Sequence, residues 1–124
     1  MHIVLADREA EIMEVLWDFG PSTVAEVKER VTDDLAYTTV LTILRTLETK
    51  GYVTHDPEGK AHRYSALVER DAARRSALKA MAEKFFKGST AGLLTHLVAD
   101  ESLKPADVRR LRELLTKRGR KAKS

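Results

Sequence analysis

The spacing of apolar residues changes twice along the chain, and those two changes restrict the fold more than any other feature. Up to residue 50 the spacing has the period of an amphipathic helix. Around Asp56-Pro57-Glu58-Gly59-Lys60 it gives way to two short β-compatible runs, Tyr52–His55 and Ala61–Ser65. From Glu69 onward it is helical again.

The first segment, "LADREAEIMEVLWDFG", puts Ile12, Val15, Leu16 and Phe19 on one stripe, with Asp7 as N-cap and Gly20-Pro21 as the stop. "STVAEVKERV" is a shorter helix in which Thr23 and Glu26 have capping-box spacing and Val24, Val27 and Val31 face inward. After the turn "TDDLA", a third helix over about residues 36–50 carries Val40, Ile43, Leu44 and Leu47 at i, i+3, i+4 and i+7, and Gly51 ends it at C′. In the hairpin, Pro57 suits the first corner of a type I turn and Gly59 the left-handed position after it. This reads as a mainly α chain with a small β-hairpin: a winged helix-turn-helix domain over 1–68, a helical region over 69–116 and a basic flexible tail over 117–124.

In the helical region, Leu78, Met81, Ala82 and Phe85 share a stripe that stops at Gly88. Leu94, Leu97 and Val98 form a second inward set, and Val108, Leu111, Leu114 and Leu115 a third after Pro105 at N1. Three short amphipathic helices bury little surface by themselves. A second copy of the segment is the economical cover, which makes Leu78, Met81, Phe85, Leu94, Leu97, Leu111 and Leu115 candidate dimerisation residues.

Several function classes are disfavoured. The chain has no cysteine, so disulfides and thiolate metal sites are excluded. Its four histidines, His2, His55, His62 and His96, are scattered, so no metal site and no cofactor is expected. No Ser/His/Asp set, Gly-rich phosphate loop or HExxH occurs, which argues against an enzyme. No apolar run approaches the roughly 20 residues of a membrane span, and "MHIVLADREAE" does not read as a signal peptide; a cytoplasmic location without membrane insertion is the expectation. The charge is uneven: net −5 over residues 1–68 and net +8 over 69–124.

The third helix carries the functional signal. Opposite its apolar stripe, Thr38, Thr42, Arg45 and Thr49 cluster within about 60° of one another, flanked by Thr39 and Thr46. Such a short, uncharged face can approach another surface closely. In a DNA major groove its hydroxyls can meet base edges or phosphates and its methyls can pack on thymine methyls, while Arg45 can reach phosphate or guanine. Lys60, His62 and Arg63 would contact phosphates as a wing. A dimeric, non-enzymatic protein that binds double-stranded DNA is therefore the main reading. Its rivals are a winged-helix module that docks a protein through the third helix, and a non-specific nucleic-acid binder that uses the basic half. The five acids of the first helix, Asp7, Glu9, Glu11, Glu14 and Asp18, weigh against strong binding by one copy.

The segments "REAEIMEVLW", "AYTTVLTILRTLETKGYV", "AHRYSAL", "LLTHLV" and "VRRLRELL" together resemble the penicillinase-repressor (BlaI/MecI) family over roughly residues 5 to 116. The resemblance implies a homodimeric repressor with an N-terminal winged helix and a C-terminal dimerisation region, acting on operator dyads with TACA/TGTA half-sites. It implies major-groove contacts from Thr38, Thr39 and Thr42, with Arg45 and Thr46 nearer the backbone. Leu41 departs from the polar residue of staphylococcal members. In those members a membrane sensor responds to β-lactam and the repressor is cut at an Asn-Phe bond, so the resemblance implies a sensor protease as partner. The aligned bond in this chain is His96–Leu97, a departure at that point. The cysteine-based metal trigger of the copper-responsive relatives has no residues here.

Overall fold

The computed structural model describes residues 2–100 and 103–123, with only the backbone for 121–123. In chain order the elements are α1 (Asp7–Phe19), β1 (Ser22–Thr23), α2 (Val24–Arg30), α3 (Tyr37–Thr49), β2 (Val53–Glu58), β3 (Ala61–Ala66), α4 (Arg70–Phe85), α5 (Thr90–Ala99) and α6 (Pro105–Lys123). They form two compact units, Met1–Ala77 and Leu78–Ser124.

In the first unit, α1, α2 and α3 pack with a three-stranded antiparallel sheet of order β1-β3-β2. The expected hairpin is therefore joined by a third strand, Ser22–Thr23, paired with Tyr64 and Arg63. Two residues are too few to show a period of two, so sequence spacing gave no sign of it. The hairpin is also tighter than expected. Pro57 and Glu58 continue β2, opposite His62 and Ala61, and the loop is Gly59-Lys60 alone. Gly59, the first loop residue, has φ +61°; a two-residue turn of the primed type needs such a left-handed residue to match strand twist. Pro57 is tolerated because β2 is an edge strand.

The core follows the apolar spacing. Ile12, Met13, Val27, Val40, Leu44, Leu47, Val53 and Tyr64 are almost fully buried, each large aliphatic or aromatic side chain contributing about 1.5–3 kcal/mol. Two expectations for α1 need correction. Phe19, on its last turn, lies past the edge of the core and is 58% exposed, with the Arg30 guanidinium 4.5 Å over its ring. The N-cap is Ala6, not Asp7: the Glu9 carboxylate accepts the Ala6 N–H at 2.8 Å, and Asp7 falls in the first turn. The α2 capping box forms as read, with Thr23 Oγ1 accepting from Glu26 N (3.2 Å) and Glu26 Oε1 from Thr23 N (2.9 Å).

The first unit runs past the expected boundary at residue 68. Trp17 Nε1 donates to the Val68 carbonyl (2.9 Å), Arg70 pairs with Glu14 and Asp18, and Ala73 joins the core.

In the second unit, Ala82 and Leu93 are buried. Leu97 and Val98, expected inward, are exposed, because the α5 face that closes on its unit centres on Leu93 instead. The α6 helix continues through Lys123, so residues 117–123 of the expected flexible tail are helical; Ser124 lies outside the described residues. Lys and Arg are good helix formers, and a single Gly119 costs only about 1 kcal/mol.

Candidate nucleic-acid interface

The α3 helix presents the face expected of it. Val40, Leu44 and Leu47 are buried, while Thr38, Thr39, Thr42, Arg45, Thr46 and Thr49 are exposed. Three of the threonines spend their hydroxyl proton on the helix itself. Thr42 Oγ1 donates to the Thr38 carbonyl (2.9 Å), Thr46 Oγ1 to that of Thr42 (3.0 Å) and Thr49 Oγ1 to that of Arg45 (3.0 Å). A hydroxyl has one proton and two acceptor positions. These side chains thus offer acceptor oxygens and γ-methyls, a narrower chemistry than the donate-or-accept surface read from residue type. In the major groove the matching partners are the amino groups of adenine and cytosine and the thymine methyl.

The wing residues separate by strand alternation. His55, Tyr64 and His62 lie on the face turned toward α3. His55 Nδ1 is 2.5 Å from Glu48 Oε2 on the last turn of α3, and its ring stacks on that of His62 with centroids 4.4 Å apart. Tyr64 is buried beside them, and burial, with the Glu48 carboxylate adding, pushes its phenol up from the ordinary range. Arg63 points the other way. Its guanidinium donates to Glu58 (2.6 Å), the Pro21 carbonyl (2.9 Å) and Glu26 (3.1 Å). The Glu58 hydrogen bond is the main reason its pKa is raised. Of the three wing residues expected to meet phosphate, Lys60 and His62 are exposed, whereas Arg63 braces the sheet against α2. Glu48 and His55 were not read from sequence as part of this region. The signal for them was the alternation that puts His55 opposite Tyr64, one step from the end of α3.

Charge pairing offsets part of the negative charge of the acids. In the first unit Arg8 pairs with Glu11 and Asp33, Lys28 with Asp34, Arg30 with Glu26, Arg70 with Glu14 and Asp18, and Arg74 with Asp71. Lys50, the C-cap of α3, reaches back to the buried Glu9 at 2.7 Å. Burial pushes the Glu9 carboxyl up, but the Lys50 ammonium and the Ala6 N–H outweigh it and hold the group below the usual carboxylate range. Among the described residues of this unit, the cations outside any ion pair are Arg45, Lys60 and Arg75. Two of those three lie on α3 and the β2–β3 hairpin.

The second unit holds an open groove of about 420 Å³ between α5 and α6, lined by Leu94, Val98, Leu103, Val108, Leu111 and Leu115. Three of the expected dimerisation residues, Leu94, Leu111 and Leu115, line it; Leu78, Met81, Phe85 and Leu97 are exposed elsewhere on their helices. The His96–Leu97 bond lies inside α5, with the His96 ring edge-on to Phe86 at 5.8 Å. Among the described residues no three His, Asp or Glu side chains gather as a metal site, and no helix is long and apolar enough to cross a membrane.

The penicillinase repressor family matches residues 5–117. The chain is 36% identical over 110 residues to the transcriptional regulator BlaI of Mycobacterium tuberculosis, covering 86% of this chain and 80% of that protein. It is 24% identical over 116 residues to the methicillin resistance regulatory protein MecI of Staphylococcus aureus, covering 92% and 94%. A MarR family protein from Bacillus stearothermophilus shares the fold, with a TM-score of 0.51 at 16% identity over 98% of this chain and 78% of that one. On a match spanning nearly its whole length, the chain belongs to the penicillinase repressor family: it is a winged-helix, DNA-binding transcriptional repressor and not an enzyme.

Proposed function

We propose that this repressor acts as a homodimer on a palindromic operator, with α3 of each protomer in the major groove and the β2–β3 hairpin as its wing. Thr38, Thr39 and Thr42 meet base edges, Arg45 and Thr46 meet the backbone or a guanine, and Lys60 and His62 meet phosphates beside the groove. Arg63 serves the wing from behind. The observation that carries this reading is the α3 outer face, a row of threonines of which Thr42, Thr46 and Thr49 commit their hydroxyl protons to the helix, with Arg45 among them and no carboxylate except Glu48, which is turned to His55. Such a face complements adenine amino groups and thymine methyls, which suits half-sites rich in A and T. Pairing of two copies through the Leu94, Leu111 and Leu115 groove sets the half-site spacing.

The test is anisotropy of the full-length protein on its own upstream DNA, on a TACA/TGTA dyad and on a shuffled duplex of equal length, at ~0.15 M salt. A preference of ~10³-fold or more for upstream DNA or dyad is the expected result. Equal, weak binding to all three overturns base reading by α3. Light scattering at micromolar concentration that shows only monomer overturns the dimer.

A further inference from the structure

We propose that α6 carries a second, sequence-independent contact surface for the phosphate backbone of double-stranded DNA, made by Arg109, Arg110, Lys117 and Arg120. On the helical wheel these four lie within about 100° of one another, opposite the Val108, Leu111 and Leu115 stripe that lines the apolar groove. A partner seated in that groove leaves them uncovered. Glu113 stands on the same flank, so the surface carries a net charge of about +3.

Two ordinary explanations of a basic helix fail here. The first is that the cations are held in ion pairs, as most are in the first unit. Among the described residues none of these four forms one, although Glu113 is four residues from Arg109 and three from Arg110. The second is compensation of the helix dipole. That effect favours cations only in the last turn, and Arg109 and Arg110 sit near the start of α6. Lys117 and Arg120, three apart, repel each other and weaken the helix slightly. A polyanion removes that cost. From Arg109 to Arg120 the helix rises about 16 Å, a length over which a duplex carries about ten phosphate charges. All four side chains are exposed and long enough to follow a backbone without fixed geometry.

This surface extends the DNA-binding reading but does not depend on base recognition by α3. Its test is the salt dependence of binding to a 30-base-pair duplex of unrelated sequence. The full-length protein is compared with R109Q/R110Q/K117Q/R120Q, which preserves helix propensity, and with Thr42→Val. Circular dichroism and light scattering check that fold and assembly match the parent. The slope of log K against log salt is expected to fall by up to ~3.6 per protomer, ~7 per dimer, for the quadruple variant and to stay unchanged for Thr42→Val. An unchanged slope in the quadruple variant overturns the proposal, whatever the operator preference. A reduced slope with no operator preference in any protein supports this surface while the α3 reading falls. Anionic lipid vesicles are the control polyanion: binding to vesicles that the quadruple variant loses, with duplex binding unchanged, assigns the flank to lipid and overturns the proposal.

Discussion

Thr42 is the residue at which the base-reading argument can be broken down atom by atom. Its hydroxyl proton is given to the Thr38 carbonyl at 2.9 Å, so toward DNA it has one acceptor oxygen and one methyl. Thr42→Val keeps the shape and the methyl and removes the acceptor. Thr42→Ser keeps the acceptor and removes the methyl, and Thr42→Ala removes both. A base amino group left without its acceptor in the groove costs on the order of 1–3 kcal/mol, about 5- to 150-fold in operator affinity. Loss of a methyl packed on a thymine methyl costs about 0.8 kcal/mol, roughly fourfold.

Folding is expected to register none of this. Thr42 is exposed, and the Thr38 carbonyl it bonds is already within the helix ladder, so all three variants should stay within about 0.5 kcal/mol of the parent in urea denaturation. The assay is anisotropy on operator and shuffled duplexes at ~0.15 M salt. The expected order of specific-to-shuffled ratio is parent, Ser, Val, Ala. A ratio unchanged by Thr42→Val refutes the acceptor role, and equal losses on both duplexes refute base reading at this position.

Glu9→Gln removes the charged partner of Lys50 and is expected to cost about 1.5–3 kcal/mol near neutral pH. Because the folded carboxyl is held below its usual range, this contribution is present above about pH 4.3 and is lost as pH falls through the lower folded value. Urea midpoints for parent and variant should converge as pH falls below the lowered folded value, and a gap that stays constant refutes the ion pair. Lys60→Ala should reduce the salt slope on operator DNA by about 0.9 per protomer with no change in thermal midpoint. Arg63→Ala should do the reverse, lowering the midpoint and sparing the slope, since its guanidinium is tied to Glu58, Pro21 and Glu26; a fall in slope would return Arg63 to the DNA contacts. Leu111→Glu, which places a charge in the α5–α6 groove, should shift light scattering from dimer to monomer, and an unchanged mass excludes the groove as the interface.

Much of the domain was legible because its helices obey spacing. The Val40, Leu44 and Leu47 stripe, the Thr23–Glu26 box and the left-handed Gly51 after α3 all follow from rules that act over one or two turns. What escaped the sequence depends on contacts between distant residues. Ser22–Thr23 becomes a strand only because β3 lies alongside, and Pro57 is absorbed into β2 because no neighbour asks for its missing N–H. Arg63 is the sharper case. Its type and position suit a phosphate contact, yet alternation turns it away from His62 and toward α2, where Glu26 already stands as part of a helix cap. The exposed threonines could be placed on a wheel, but the direction of their protons needed the backbone itself.

The net charge of −5 over the first 68 residues is a poor guide to what DNA would meet there. Acids and cations of that unit are largely consumed in pairs with one another, and a paired charge attracts or repels phosphate weakly beyond a Debye length of about 8–10 Å. Among the described residues, the cations outside any pair on α3 and the hairpin are Arg45 and Lys60, with Asp56 the unpaired acid of the hairpin. In the proposed dimer two protomers bring four such cations, a salt slope of only about −3.6. A repressor with that much electrostatics alone would bind weakly at ~0.15 M salt, and the proposed reading assigns its preference to the threonine face and to the simultaneous seating of two copies. If α6 contributes as proposed, four further cations per protomer add up to about −7 to the slope. The same slope, measured on operator and on unrelated DNA, therefore separates the two halves of the molecule. As proposed, the α3 face would change the ratio between the two DNAs, and α6 the steepness common to both.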